Sequence, residues 1–254
     1  MVILYILVSV ILVSLVSFIG AFSLFLQKKN LNEFLLLLVS LSAGTLFGGA
    51  FLHLLPEAVE KNGFTLQVSL LLLGGVITFF VLEKFIHWRH CHVHGTPDLQ
   101  KHQSHHPPSI AVLNLTGDAL HNLLDGLVIA GSYLVSIPTG IATTIAVVLH
   151  EVPQEIADFG VLLYAGWSRW KALLFNFLSA AVAIVGAIIG IVLGARSEAF
   201  TQIILPFAAG GFVYIAGSNL IPELHKECGL KDSLWHFVAL LLGVGLMVVL
   251  LLVE

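Results

Sequence analysis

Between Val2 and Leu26 the sequence holds no charged residue. A bilayer core about 30 Å thick is crossed by roughly 20 apolar helical residues, so a run of this length is expected to span one. It has no basic leading segment and outlasts the about 7–15 apolar residues of a signal peptide, which makes it a first span rather than a leader. Seven stretches of similar character follow: Phe34 to Leu55, Leu66 to Leu82, Ile110 to Leu134, Thr139 to Ala165, Ala172 to Gly194, Ala199 to Ile221 and Leu234 to Val253. The expected fold is all-α, a polytopic membrane protein with eight transmembrane helices in a single domain over residues 1–254. Composition agrees: 58% of residues are hydrophobic and only 10% charged, against about 25% charged in soluble domains. A net charge of -4 without a basic tract offers nothing to nucleic acid. The expected surroundings are the lipid bilayer.

Basic residues set the orientation. Counting alternate connections, one side collects Lys28, Lys29, Lys84, Arg89, Lys101, Arg169, Lys171, Lys226 and Lys231, the other only Lys61 and Arg196. The richer side is expected in the cytoplasm, with both termini outside and the chain in a plasma (inner) membrane. Cys91 and Cys228 then face the cytoplasm, where a structural disulfide is not expected. The one long connection, 83–109, contains seven His between His87 and His106. Its polarity and Pro97, Pro107 and Pro108 mark it as a cytoplasmic loop, and His90, His92, His94, His102, His105 and His106 are candidate loose metal ligands.

The second and seventh spans repeat one another. "AGTLFGGAFLHLLPE" ends at Glu57 and "AGGFVYIAGSNLIPE" at Glu223; at an offset of 166 residues Ala43, Gly44, Leu54, Pro56 and Glu57 recur as Ala209, Gly210, Leu220, Pro222 and Glu223. The charge pattern runs the two segments in opposite directions, so an inverted repeat of helices 1–3 and 6–8 around a central helix 4/5 pair is expected, an architecture that places substrate near the midplane.

Polar residues concentrate in that central pair. The fourth span carries Asp118, His121, Asn122 and Asp125, and the fifth carries His150, Glu151, Gln154, Glu155 and Asp158. At about 100° per residue each set falls on one helix face. A carboxylate at the bilayer centre costs roughly 2.5–3.5 kcal/mol even on lenient scales, and neither span holds Lys or Arg to neutralise it. A divalent metal would. His121 with Asp125 and His150 with Gln154 are i, i+4 pairs, and two such pairs on facing helices supply four ligands, the usual number for zinc. Asn122 and Glu151 either complete a second, adjacent site or form the next stop along a path. Asp118 and Glu155 are candidates for supporting or proton-carrying roles, Asp158 for helix packing. Asn176 is a further accessory candidate, as are His53, Glu57 and Glu223 in the repeated segments. Pro153 lacks an N–H and frees the carbonyl of Leu149 beside His150.

"HNLLDG", "HEVPQE", "HLLPEA" and "GGFVYIAGSNLIPEL" resemble the signatures of the ZIP (Zrt-, Irt-like) metal transporters, in the branch whose fifth helix reads HExPHE. The likeness extends over essentially the whole chain. It implies a transporter, not an enzyme, that moves a divalent transition metal into the cytoplasm and needs no cofactor, with His121, Asn122, Asp125, His150, Glu151 and residue 154 lining the path. A homodimer is compatible with it. Where that pattern has His, this chain has Gln154, whose amide oxygen is a harder donor. Zn²⁺ is the first expectation, and Fe²⁺, Mn²⁺ and Cd²⁺ are admitted. The alternative from another class is an intramembrane zinc-dependent protease with H-E-x-x-H, which His150 and Glu151 begin but Gln154 does not complete.

Overall fold

The fold was obtained as a computed structural model, which describes residues 1–22, 28–93, 108–197, 199–225 and 229–252. The described residues are helical, with no strand among them. In chain order the helices are α1 (Val2–Val16), α2 (Ile19–Phe22), α3 (Lys28–Gly48), α4 (Leu55–Asn62), α5 (Leu66–Val93), α6 (Pro108–Val135), α7 (Ile137–Tyr164), α8 (Arg169–Ala180), α9 (Val182–Arg196), α10 (Ala199–Tyr214), α11 (Ile221–Leu224) and α12 (Leu230–Leu251). Six stretches are long and apolar enough to cross a membrane: Val2–Ala21, Glu33–Glu60, Leu66–Lys84, Arg169–Arg196, Ala199–Leu224 and Leu230–Leu251. The other two long helices, α6 and α7, have 28 residues each and carry the polar residues singled out above. Leu66 was the expected start of the third span; its helix runs past Leu82 to Val93, so the first part of the connection is helical. His94, His102, His105 and His106 lie outside the described residues, as do the side chains of His90 and His92.

α6 and α7 form a hairpin whose only linking residue is Ser136. Its extended backbone (φ -154, ψ 154) leaves the side chain free to accept from Thr139 N–H, and Pro138 sits in the first turn, where the missing N–H has no cost. Because so short a link makes the helices antiparallel neighbours, His121 and His150 stand at almost the same depth, about 22 Å from the turn at 1.5 Å per residue. Thr143 Oγ1 to Ser132 Oγ (3.0 Å) ties the hairpin near that turn, and Ser9 Oγ to Tyr133 Oη (2.9 Å) ties it to α1.

The closest helix crossings are α6 with α9, α3 with α12 and α5 with α10. Each is made by a pair of glycines against backbone carbonyls: Gly126 on Ala183 and Gly186 on Leu123, Gly44 on Leu240 and Gly243 on Leu41, Gly75 on Phe207 and Gly210 on Leu72. A methyl group at any of them would collide with a carbonyl oxygen, and in lipid such close approach is a main source of helix association.

Two π-turns interrupt otherwise continuous helices, Gly49–Leu54 between α3 and α4 and Ile215–Leu220 between α10 and α11. Pro56 and Pro222 follow them. A proline ring crowds the carbonyl four residues earlier, and a locally widened turn relieves that contact. The two π-turns fall on matching positions of the repeated sequence, 166 residues apart. They differ in surroundings: in the first Gly49, Ala50, His53 and Leu54 are buried and Phe51 exposed, whereas in the second Ile215 and Ala216 are buried and Gly217, Ser218 and Asn219 exposed.

Candidate metal centre

Four side chains from α6 and α7 converge at the middle of the hairpin. His121 Nε2 lies 3.1 Å from His150 Nε2, 3.3 Å from Glu151 Oε1 and 3.7 Å from Asp125 Oδ2; His150 Nε2 lies 3.3 Å from both Asp125 Oδ2 and Glu151 Oε1. All four donor atoms fit within 4.8 Å of one another. Ligand atoms about 2.0–2.1 Å from a tetrahedral zinc ion stand about 3.3 Å apart, so these spacings are close to the edges of a zinc tetrahedron.

The electrostatics agree. Asp125, His150 and Glu151 are 1% exposed and His121 15%. Asp125 Oδ2 and both oxygens of Glu151 make no hydrogen bond within the described residues. Two buried carboxylates without a fixed cation are costly; two carboxylates and two neutral imidazoles around one divalent ion make a neutral assembly. His150 Nδ1 is 3.1 Å from the carbonyl of Ala146. A carbonyl only accepts, so Nδ1 carries the proton and Nε2 presents its lone pair to the centre, the arrangement that orients a ligating imidazole. The wall is aromatic: Phe79 meets the His121 ring edge-on at 5.8 Å and Phe212 the His150 ring at 6.3 Å.

A second group adjoins the first and shares Glu151: carboxylate oxygens of Asp118, Glu151 and Glu155 also lie within 4.8 Å of one another. Asn122 Nδ2 donates to Asp118 Oδ1 (2.9 Å) and Gln154 Nε2 to the same atom (3.3 Å). Asn176 of α8 donates to Glu155 Oε2 at 2.5 Å. Of the four donors first paired by i, i+4 spacing, three are in the tetrahedral set and the fourth place is held by Glu151; Gln154 gives its amide to Asp118 instead. His53, in the first π-turn, donates Nε2–H to the carbonyl of Met247 at 2.9 Å. Glu57 lies in α4, outside both groups.

Two cavities reach the centre. One, about 200 Å³, runs from His121 and Asp118 past Asn114 and Asp158 to Glu83 and Tyr214. The other, about 280 Å³, joins His150 and Gln154 to Asn219 and Glu223. Sequence reading left out Asn114, Glu83, Tyr214 and Asn219. Asn114 continues the polar stripe of Asp118, His121 and Asp125 by one further turn, a visible signal; Asn219 and Tyr214 reach the site by packing alone.

A profile of the "ZIP Zinc transporter" family matches residues 2–251. "Zinc transporter ZIP13 homolog" of Drosophila melanogaster is 32% identical, the alignment covering 86% of this chain and 78% of that protein. "Zinc transporter zipt-7.1" of Caenorhabditis briggsae is 30% identical over 91% of this chain and 74% of that one. "Zinc transporter ZIP13" of Pongo abelii is 35% identical over 83% and 65%. A match along nearly the entire length, together with six helical stretches fit to cross a bilayer and a buried His/Asp/Glu cluster between α6 and α7, makes this chain an integral membrane protein of the ZIP zinc transporter family.

Proposed function

We infer that the chain transports a divalent transition metal, zinc first, into the cytoplasm through His121, Asp125, His150 and Glu151, with Asn122 and Gln154 beside them on the path. The observation that carries this reading is the buried four-donor set, whose spacings suit a tetrahedral ion and whose charge an ion of 2+ cancels. Two imidazoles favour zinc and other late divalent metals over Mg²⁺ or Ca²⁺, while two carboxylates leave room for Fe²⁺ and Mn²⁺.

The transport cycle needs a frame. Eight crossings with both termini outside the cytoplasm, α6 and α7 as the central pair, account for the placement of nine basic residues against two. An inverted repeat is supported by the matched π-turns and by the glycine crossings, since Gly44 on Leu240 has its counterpart in Gly210 on Leu72. In this frame both cavities lie on the cytoplasmic side of the centre, and Ile215 and Asn219 of the second π-turn line them. The structure then corresponds to an inward-facing stage, in a plasma (inner) membrane, with the His-rich 83–109 connection downstream of the exit.

Purified protein in liposomes tests this directly. Saturable zinc uptake without peptide cleavage is expected, and uptake is lost in the His150→Ala variant. Cleavage of peptides with no metal flux would reverse the assignment in favour of a protease.

A further inference from the structure

Pro153 lies inside α7. Its nitrogen carries no hydrogen, so the carbonyl of Leu149, four residues earlier, has lost its helical donor. Within a bilayer no lipid can replace that donor. Pro56 and Pro222 meet the same difficulty within their own helices, each preceded by a π-turn. α7 remains α-helical through Pro153, and the missing donor comes from a different helix: Ser42 Oγ of α3 donates to Leu149 O at 2.5 Å. Ser42 is fully buried, with 0% exposure.

Leu149 immediately precedes His150. The imidazole of His150 is itself anchored on the backbone of the same turn through Ala146 O, so a shift of that turn would carry the ring with it. Ser42 Oγ also lies 2.7 Å from Leu38 O, but in a helix that carbonyl accepts from the backbone N–H of Ser42. Removing the hydroxyl therefore orphans a single group, the carbonyl beside the ligand.

We propose that Ser42 is a positioning residue for metal transport: its hydroxyl stands in for the N–H that Pro153 lacks and holds the turn from which His150 Nε2 reaches the ion. The inference rests on the reading of His150 as a ligand. It makes a prediction that a general packing role does not, because Pro153→Ala restores an N–H at position 153 and should make the hydroxyl dispensable.

The test compares Ser42→Ala and Ser42→Thr, each alone and with Pro153→Ala, by zinc uptake in liposomes normalised to folded protein, with zinc titration of the purified proteins as a second readout. Ser42→Ala should raise the apparent KM for zinc about fivefold or more, with kcat less affected, while Ser42→Thr stays near the wild type. In the Pro153→Ala background Ser42→Ala should change KM by less than about twofold. An equal KM ratio in both backgrounds, or a lower yield of folded protein at unchanged KM, would overturn the proposal. His150→Ala separates it from its premise: loss of uptake there supports the site, and wild-type uptake there would overturn site and proposal together.

Discussion

The two groups of donors along α6 and α7 share Glu151 but differ in kind. The first adds two imidazoles and Asp125; the second adds only Asp118 and Glu155. Its side chains are also differently occupied. Asp125 Oδ2 and Glu151 Oε1 in the first face the imidazoles without a hydrogen bond, whereas in the second Asn122 and Gln154 engage Asp118 Oδ1 and Asn176 engages Glu155 Oε2, leaving Asp118 Oδ2 and Glu155 Oε1 unpartnered among the described residues. A mixed nitrogen and oxygen set suits zinc, and an all-oxygen set braced by amides suits the task of holding Glu151 in place. The difference teaches that high acid content alone does not distinguish the two groups; on the proposed reading the ion is expected where the imidazoles are.

Variants can break that contrast, beginning with the largest effect. His121→Ala and His150→Ala each remove one of four ligands and little packing; zinc uptake at limiting metal should fall more than about a hundredfold, beyond what loss of an outer partner costs, with folded yield preserved. Comparable uptake in both variants and the wild type would remove the first group from the path. In the second group, Glu155→Gln weakens the bond to Asn176 and should lower zinc affinity about tenfold, the lower end for supporting groups; a loss equal to that of His150→Ala would erase the distinction between the groups. Gln154→His sharpens it instead. An added imidazole one turn from His150 should favour Zn²⁺ over Mn²⁺ in competition uptake, and an unaltered ranking would show that residue 154 does not touch the ion. The smallest effect on transport is expected from deleting residues 90–106: fewer zinc ions bound per chain, with flux nearly unchanged, because solvated His on a connecting segment pay an ordering cost that the helical donors do not. Identical stoichiometry with and without the segment would make it a passive connection.

Much of this was legible in the sequence because the membrane leaves so few choices. Apolar runs of helical length announce the helices, six of which are long and apolar enough to cross a membrane, and a polar stripe along a long helix among them is by default a functional candidate. His121, Asp125 and His150 followed from i, i+4 spacing and from the absence of Lys and Arg. Spacing pointed to Gln154 as the fourth donor, whereas the structure sets Glu151 beside the imidazoles, because Asp118 takes the Gln154 amide. The repeat at offset 166 was readable, but not that both copies would widen into π-turns or that the second would be the more exposed. Pro153 announced an orphaned carbonyl; that Ser42 of α3 supplies its donor depends on how α3 lies against α7, which no local pattern encodes.

An ion at the centre of the first group is directly observable. Crystals soaked with zinc and measured at the zinc absorption edge should show an anomalous peak about 2.0–2.2 Å from His121 Nε2, His150 Nε2, Asp125 and Glu151. Zinc peaks found only elsewhere, with the two imidazoles still hydrogen-bonded to each other, would contradict it.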